Sequence, residues 1–331
     1  MRVGAWMRTR LAALLAMTSL VAPLRAAEEN AGTRAASFLA NGAGTSVLSM
    51  GGASLGLRND LQGSAYNVAT LGWLGDRQAA LSHAQLADQT LQEWAAFGGR
   101  LGRGPTRWGI SSLYRDEGTV KGRDASNTPT EDFTAHSLAL SMQLARPFGE
   151  HLVLGGAARY VGEHLGFAHG NGLAFDAGAQ LRFGILGLGV AGRNFGGGMM
   201  WAGQRWRMPA SLGAGVALEH EPSGLRFALD VDAPASYFRS VRAGGEWCWH
   251  DRFALRGGWR RELGAPDGER LGGPAFGLGA AAGQMWVDYG YIVAGDGTTT
   301  QRFGLTLRGW GVDRSVGQGI LTPTSDPHHS E

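Results

Sequence analysis

Residues 137–145 read SLALSMQLA, and the fold turns on how this stretch is read. Leu138, Leu140, Met142 and Leu144 alternate with Ser137, Ala139, Ser141, Gln143 and Ala145. A period of two belongs to an extended strand with one apolar and one polar face. The pattern recurs downstream. Leu173, Phe175, Ala177, Ala179, Leu181 and Phe183 interleave with Asp176, Gln180 and Arg182. Leu225, Phe227, Leu229 and Val231 do so with Arg226, Asp230 and Asp232. Val241, Trp247 and Trp249 alternate with Arg242, Glu246 and His250, and Met285, Val287, Tyr289 and Tyr291 face away from Asp288.

Strand length separates a soluble sandwich from a membrane barrel. Sandwich strands average about five or six residues, whereas these run for about nine to twelve, enough for a tilted strand to cross a bilayer. Fourteen segments are expected: 77–86, 93–101, 107–114, 133–145, 151–163, 172–183, 186–195, 211–219, 225–232, 239–249, 253–262, 274–282, 284–292 and 302–310. An even count suits a closed antiparallel outer-membrane barrel. Tight connections (102–106, 146–150, 184–185, 220–224, 250–252, 283) mostly alternate with longer ones (116–132, 164–171, 196–210, 263–273). That asymmetry is the outer-membrane one, short turns inside and long loops outside. The expectation is therefore an all-β chain, a 14-stranded antiparallel transmembrane barrel over 77–310 with an N-terminal helix and plug over 28–76.

Composition agrees. Glycine supplies 55 of 331 residues, against a usual share of about 7 %. No Gly-X-Y period is present, so collagen is excluded. A net charge of +2 gives no reason to expect a nucleic-acid partner. The single cysteine, Cys248, excludes an intrachain disulfide. At the N-terminus Arg2, Arg8 and Arg10 precede an apolar run over 11–22 and a small-residue exit near Ala26 and Ala27. That is the pattern of a secretory signal peptide, 1–27, and implies export to the bacterial outer membrane. The polar tail 311–331, with Pro323 and Pro327, is expected to be flexible.

Residues 42–75, GAGTSVLSMGGASLGLRNDLQGSAYNVATLGWLG, are too short and glycine-rich to bury a core alone. They are expected to lie inside the barrel as its plug. The run Ser49-Met50-Gly51-Gly52-Ala53, then Asn59-Asp60, Ala65-Tyr66-Asn67 and Leu71, resembles the N-terminal signature of the PorV/PorQ family, outer-membrane barrels related in architecture to the FadL long-chain fatty-acid transporters. In that family the last piece usually reads Trp-Asn-Pro-Ala-Gly-Leu; here Tyr66-Asn67-Val68-Ala69-Thr70-Leu71 lacks the Pro and the Gly. The resemblance implies a non-enzymatic barrel that supports type IX-like secretion or surface attachment by binding cargo or secretion-system partners. The alternative is a FadL-like transporter passing hydrophobic small molecules through the barrel wall. An apolar pocket between plug and wall favours transport; a sealed lumen with an exposed apolar loop favours partner binding.

Three groups of residues are candidate sites. The plug motif is Met50, Gly51, Gly52, Asn59, Asp60, Tyr66 and Asn67. The loop 196–210, GGGMMWAGQRWRMPA, carries Met199, Met200, Trp201, Trp206 and Met208 on a segment expected to face outside, large adaptable residues suited to a partner or to an interfacial girdle. The lumen charges are Asp176, Arg182, Arg226, Asp230, Arg242, Glu246 and Asp288, joined on the polar face by Arg193, Glu219, Asp232, Arg256, Arg302 and Arg308. Both signs occur, which favours pairing that holds the plug over a selectivity filter. Gly187-Leu188-Gly189-Val190-Ala191-Gly192 matches G-x-G-x-x-G but sits inside a strand with no helix following, so its glycines are read as close-packing positions. No metal spacing, cofactor motif or nucleophile elbow occurs, and no enzymatic activity is expected.

Overall fold

The structure, a computed structural model, describes residues 34–309 except 59, 76, 87–89, 202, 236–237 and 266–271. The export segment 1–27, residues 28–33 of the expected helix, Asn59 of the plug motif, Trp310 and the tail lie outside the described residues.

Strands follow in the order β1 (Gln78–Gln85), β2 (Leu91–Arg100), β3 (Arg107–Val120), β4 (Phe133–Phe148), β5 (Leu152–Leu165), β6 (Ala168–Phe183), β7 (Leu186–Trp201), β8 (Gln204–Arg207), β9 (Ser211–His220), β10 (Leu225–Pro234), β11 (Arg239–Trp249), β12 (Phe253–Leu263), β13 (Pro274–Ala282), β14 (Met285–Val293) and β15 (Thr299–Arg308). Neighbours pair antiparallel, β7 pairs with β9, and β1 pairs with β15 to close the ring. β8 pairs only with the far end of β7, so fourteen strands form the barrel and β8 is a flap on its rim.

The period-two sequence places one face inside and one outside. Leu140 is 46 % exposed on the outer face and Ser141 is 6 % exposed on the inner one. Met142, Leu144, Leu154, Phe175, Phe227 and Leu278 continue the apolar outer belt. Near the tight turns it ends in rings: Trp249 stacks on Phe253 with centroids 6.1 Å apart, and His151 lies 5.2 Å from Phe183. Such a belt with an aromatic edge matches the thickness and interface of a bilayer. No helix among the described residues is long and apolar enough to cross a membrane.

The wall is uneven in height. β4, β6 and β7 have 16 residues each, whereas β13 and β14 have 9; at a rise of about 3.3 Å per residue, the tall side overtops the short side by roughly 20 Å. The expected segments 107–114, 172–183 and 186–195 were too short by four to six residues at one end. Their missing ends, such as 115–120 and 196–201, lie past the apolar belt, where both faces meet water and alternation is no longer imposed. For the same reason 164–171 is a continuous hairpin of β5 and β6, and 196–201 and 204–207 are paired strands.

Candidate functional site

The N-terminal segment runs down the barrel axis. It starts at the tall rim with a 3-10 turn, Ser37–Asn41, where a longer helix over 28–40 was expected. It continues through the short helix α1 (Thr45–Leu48) and the 3-10 turns Leu61–Ala65 and Val68–Trp73, and leaves beside β1. Motif residues build this path locally. Gly51 and Gly52 hold φ of 68° and 81°, the left-handed region that glycine enters without cost. Asp60 accepts a hydrogen bond from the Gln62 N–H and caps one turn; Asn67 accepts from the Ala69 N–H and caps the next. Through Nδ2, Asn67 also donates to the carbonyls of Leu55 (3.0 Å) and Ala179 (3.3 Å), which ties plug to wall. The Tyr66 hydroxyl donates to the Ala43 carbonyl (3.0 Å) and accepts from the Ala43 N–H (3.2 Å), closing the plug on itself. Met50 lies buried with Ala53, Leu57, Ala217 and Ala228.

The plug meets two different walls. Its first leg, through residues 49–57, lies on β7 and β9–β14, backbone against backbone. A methyl added at Gly189 would collide with the Leu55 carbonyl, and one at Gly258 with the Met50 backbone. The wall's polar side chains then satisfy the plug's peptide groups, which would otherwise be buried unpaired. Asp230 Oδ2 accepts from the N–H groups of Ser54 (2.6 Å) and Leu55 (3.0 Å), and Gln180 Nε2 donates to the carbonyls of Leu55 (2.8 Å) and Leu57 (3.1 Å).

All seven candidate lumen charges point inward on this side or at its edge. Four of them join Glu219 and Arg256 in a chain across the lower lumen: Arg182 pairs with Glu219, Glu219 lies 3.7 Å from Arg226, Arg226 3.3 Å from Glu246, Glu246 2.6 Å from Arg256, and Arg256 2.5 Å from Asp288. Higher up, Asp176 pairs with Arg159 (2.7 Å), while Asp232 bridges Arg193 (2.6 Å) and Arg242 (2.9 Å). Pairing of this kind compensates desolvation and fixes orientation; it makes no single-sign field of the kind a filter uses. Arg159, Gln180 and Gln62, which donates to Thr306 at 3.0 Å, belong to this network and were not among the expected residues. Arg159 and Gln180 stood in alternating strands, but nothing in the sequence tells which inward polar residue meets the plug.

The second leg, Leu61 to Leu74, packs side chains against β1–β6. Leu61, Val68, Ala69, Leu71 and Leu74 share one apolar cluster with Trp94, Leu113, Val153, Val161 and Ala174. The cluster extends up the tall side to Phe38, Met199 and Met208, with Trp201 packed against it. Here the expected outward loop is corrected. Met199 and Met208 are fully buried and cover Phe38, Trp201 is half-buried with its Nε1 2.8 Å from the Met199 sulfur, and only Met200 and Trp206 are exposed. The reason is that 196–201 and 204–207 form a two-strand flap, so alternate side chains of β7 turn into the mouth. The 3-10 turn under it is held by two polar contacts, Ala35 N–H to the Arg207 carbonyl (3.2 Å) and Ala36 N–H to Glu163 Oε2 (3.0 Å).

Two further features lie on this apolar side. β7 carries two irregularities against β6, between Leu173 and Phe175 and between Phe175 and Ala177, with Asn194 at φ 57°. Bulges leave residues unpaired and interrupt the ladder. On the rim, a cavity of about 450 Å³ lies between the β3–β4 loop and the β5–β6 turn, lined by Arg123, Glu131, Phe133, Leu165 and the 98 %-exposed Phe167. Among the described residues no group of His, Cys, Asp or Glu is arranged to hold a metal ion.

No protein-family model matches the sequence, and no curated protein matches it. Solved structures do. The toluene transporter TbuX of Ralstonia pickettii aligns over 81 % of this chain and 98 % of its own, at 13 % identity and a TM-score of 0.60. The monoaromatic hydrocarbon channel CymD aligns over 81 % and 98 %, at 14 % identity and 0.59. A FadL homologue of Pseudomonas aeruginosa aligns over 80 % and 97 %, at 11 % identity and 0.55. None of these comparisons supports the PorV/PorQ resemblance, and the described residues that carried it serve turns, caps and close packing. The fold is a closed 14-stranded antiparallel barrel of the FadL-like outer-membrane architecture.

Proposed function

We propose that this chain is a non-enzymatic outer-membrane barrel, exported by its N-terminal segment 1–27, that passes hydrophobic small molecules between the apolar side of its lumen and the surrounding lipid. The observation that carries this reading is a juxtaposition. The apolar cluster of Val161, Ala174, Met199 and Met208 stands directly inside the stretch where β7 is bulged against β6. Outside the same stretch the exposed Leu173, Phe175 and Phe195 continue the apolar surface. A hydrophobic molecule therefore meets apolar atoms on both faces of this interrupted ladder, and burial of its surface at about 25 cal/mol per Å² favours each step. That similar barrels include a toluene transporter and a monoaromatic hydrocarbon channel supports the same class of cargo. The secretion reading needs an exposed apolar loop, and two of the five side chains that would form it point inward.

Uptake of radiolabelled toluene by cells expressing the barrel tests this, with folded protein quantified by heat-modifiable gel mobility. The wild type is expected to raise uptake above barrel-free cells, and Ala174→Trp or Val161→Phe, each filling the cluster, to return it to that level at equal folded amount. Uptake no faster than in barrel-free cells, for toluene and for a long-chain fatty acid alike, overturns the reading.

A further inference from the structure

Arginines from four strands converge on the plug residue Tyr66: Arg193 of β7, Arg242 of β11, Arg260 of β12 and Arg302 of β15 all lie within electrostatic reach of its hydroxyl. Arg193 stands 5.9 Å from the centre of its ring. Three of the four have carboxylates. Asp232 bridges Arg193 and Arg242, and Glu262 lies 2.8 Å from Arg260. Asp230, the third acid here, spends one oxygen on the plug N–H groups of Ser54 and Leu55.

Arg302 differs. It is 4 % exposed, its Nε is buried without a hydrogen-bond partner, and among the described residues it has no ion pair. Its cross-strand neighbours are Ala84 and Gly290, whose side chains offer it no polar partner. One strand further, the Oε1 of Gln92 is also buried and unpartnered, while its Nε2 donates to the Gly42 carbonyl at 2.9 Å. Removing an uncompensated cation from water costs several kcal/mol, at the order of magnitude of a buried ion. Four arginines face three carboxylates, so the enclosure is one negative charge short.

We propose that the lumen holds a small monovalent anion, a halide or a formate-sized carboxylate, on the Arg302 guanidinium beside Tyr66. The anion completes the charge balance on that side and couples β15 to the plug. Bound there, it adds stability that grows with its concentration, because only the folded barrel assembles the site. Arg302 stands on β15, on the far side of the ring from the bulged β6–β7 seam, and its site does not depend on the transport reading.

Crystals grown in sodium bromide test it. A bromide anomalous peak on the Arg302 guanidinium, lost in Arg302→Met, is the expected result. Unfolding in urea is the second measurement, in sodium chloride against sodium gluconate at equal ionic strength, since gluconate is too large for the site. The wild type is expected to gain midpoint saturably with chloride. Arg302→Met is expected to show no such gain and to exceed the wild type in gluconate, where the bare cation is a liability. A guanidinium hydrogen-bonded to water alone, or a wild-type midpoint equal in the two salts, overturns the proposal, and toluene uptake would be unaffected by either outcome.

Discussion

The two legs of the plug are bonded to the barrel by opposite means. Met50 to Leu57 lies on glycines and charged groups of β7 and β9–β14, where the contacts are peptide to peptide and carboxylate to N–H. Leu61 to Leu74 lies on the aliphatic and aromatic inner face of β1–β6, where the contacts are side chain to side chain. Polar bonds have fixed partners and angles, so the first leg has one seat. Apolar contacts are non-directional, so the second leg can yield space to a guest of similar polarity without leaving a group unsatisfied. One barrel thus contains an anchored half and a replaceable half.

The largest effect is expected from breaking the anchored half. Asp288 is fully buried and accepts from Arg256 Nη1 (2.5 Å) and Trp286 Nε1 (2.8 Å). Asp288→Ala leaves Arg256 with only Glu246 and should cost about 3–5 kcal/mol, the range for stranding one member of a buried pair. Urea midpoints of the refolded barrel would measure it. A cost under about 1 kcal/mol would mean that water reaches Arg256 and that the lower lumen is not dry.

Leu71→Ala probes the replaceable half. Leu71 is fully buried, and a methyl on Gly109 would stand 3.2 Å from one of its own methyls. Truncation should cost about 2–4 kcal/mol. Saturating toluene should recover part of that loss by filling the space, whereas it should recover none in Asp288→Ala. Equal recovery in both variants would erase the distinction between the halves.

Much of the wall was legible in the sequence because the bilayer imposes alternation. Leu140 and Ser141 are told apart by period alone, and a shift of one residue would exchange them. The plug was legible as glycine excess: Gly187 and Gly189, which imitate a nucleotide-binding motif, face Gly56 and Leu55. The site was less legible. Arg256 and Asp288 are separated by 32 positions and meet across the intervening β13, and Gln62 and Thr306 are separated by 244 and meet through closure of the ring. The loop misled for a different reason. Methionines and tryptophans in a polar, glycine-rich stretch read as an exposed patch, yet strand pairing in the flap sends half of them inward. Phe38, which lies beneath that flap, reads with Ala35 and Leu39 as one side of a short helix over 28–40, but nothing in that pattern tells what covers it.

The flap itself gives the finest comparison, since two side chains that face each other across one hairpin differ in burial. Met199 is buried on Phe38, and Trp206, paired with it across β7 and β8, is 43 % exposed. Met199→Ala opens a void over Phe38 and should cost about 2 kcal/mol or more. Trp206→Ala removes a larger side chain but should stay within about 0.5 kcal/mol, because no buried contact or polar partner is lost. Side-chain size and burial thus give opposite orders for this pair. Urea midpoints of the two single variants decide between them, with binding of any extracellular partner scored per folded molecule. If Trp206→Ala proves the more costly change, the rim tryptophan is seated in lipid or on a partner, and the flap is a docking element instead of a cover over the replaceable half.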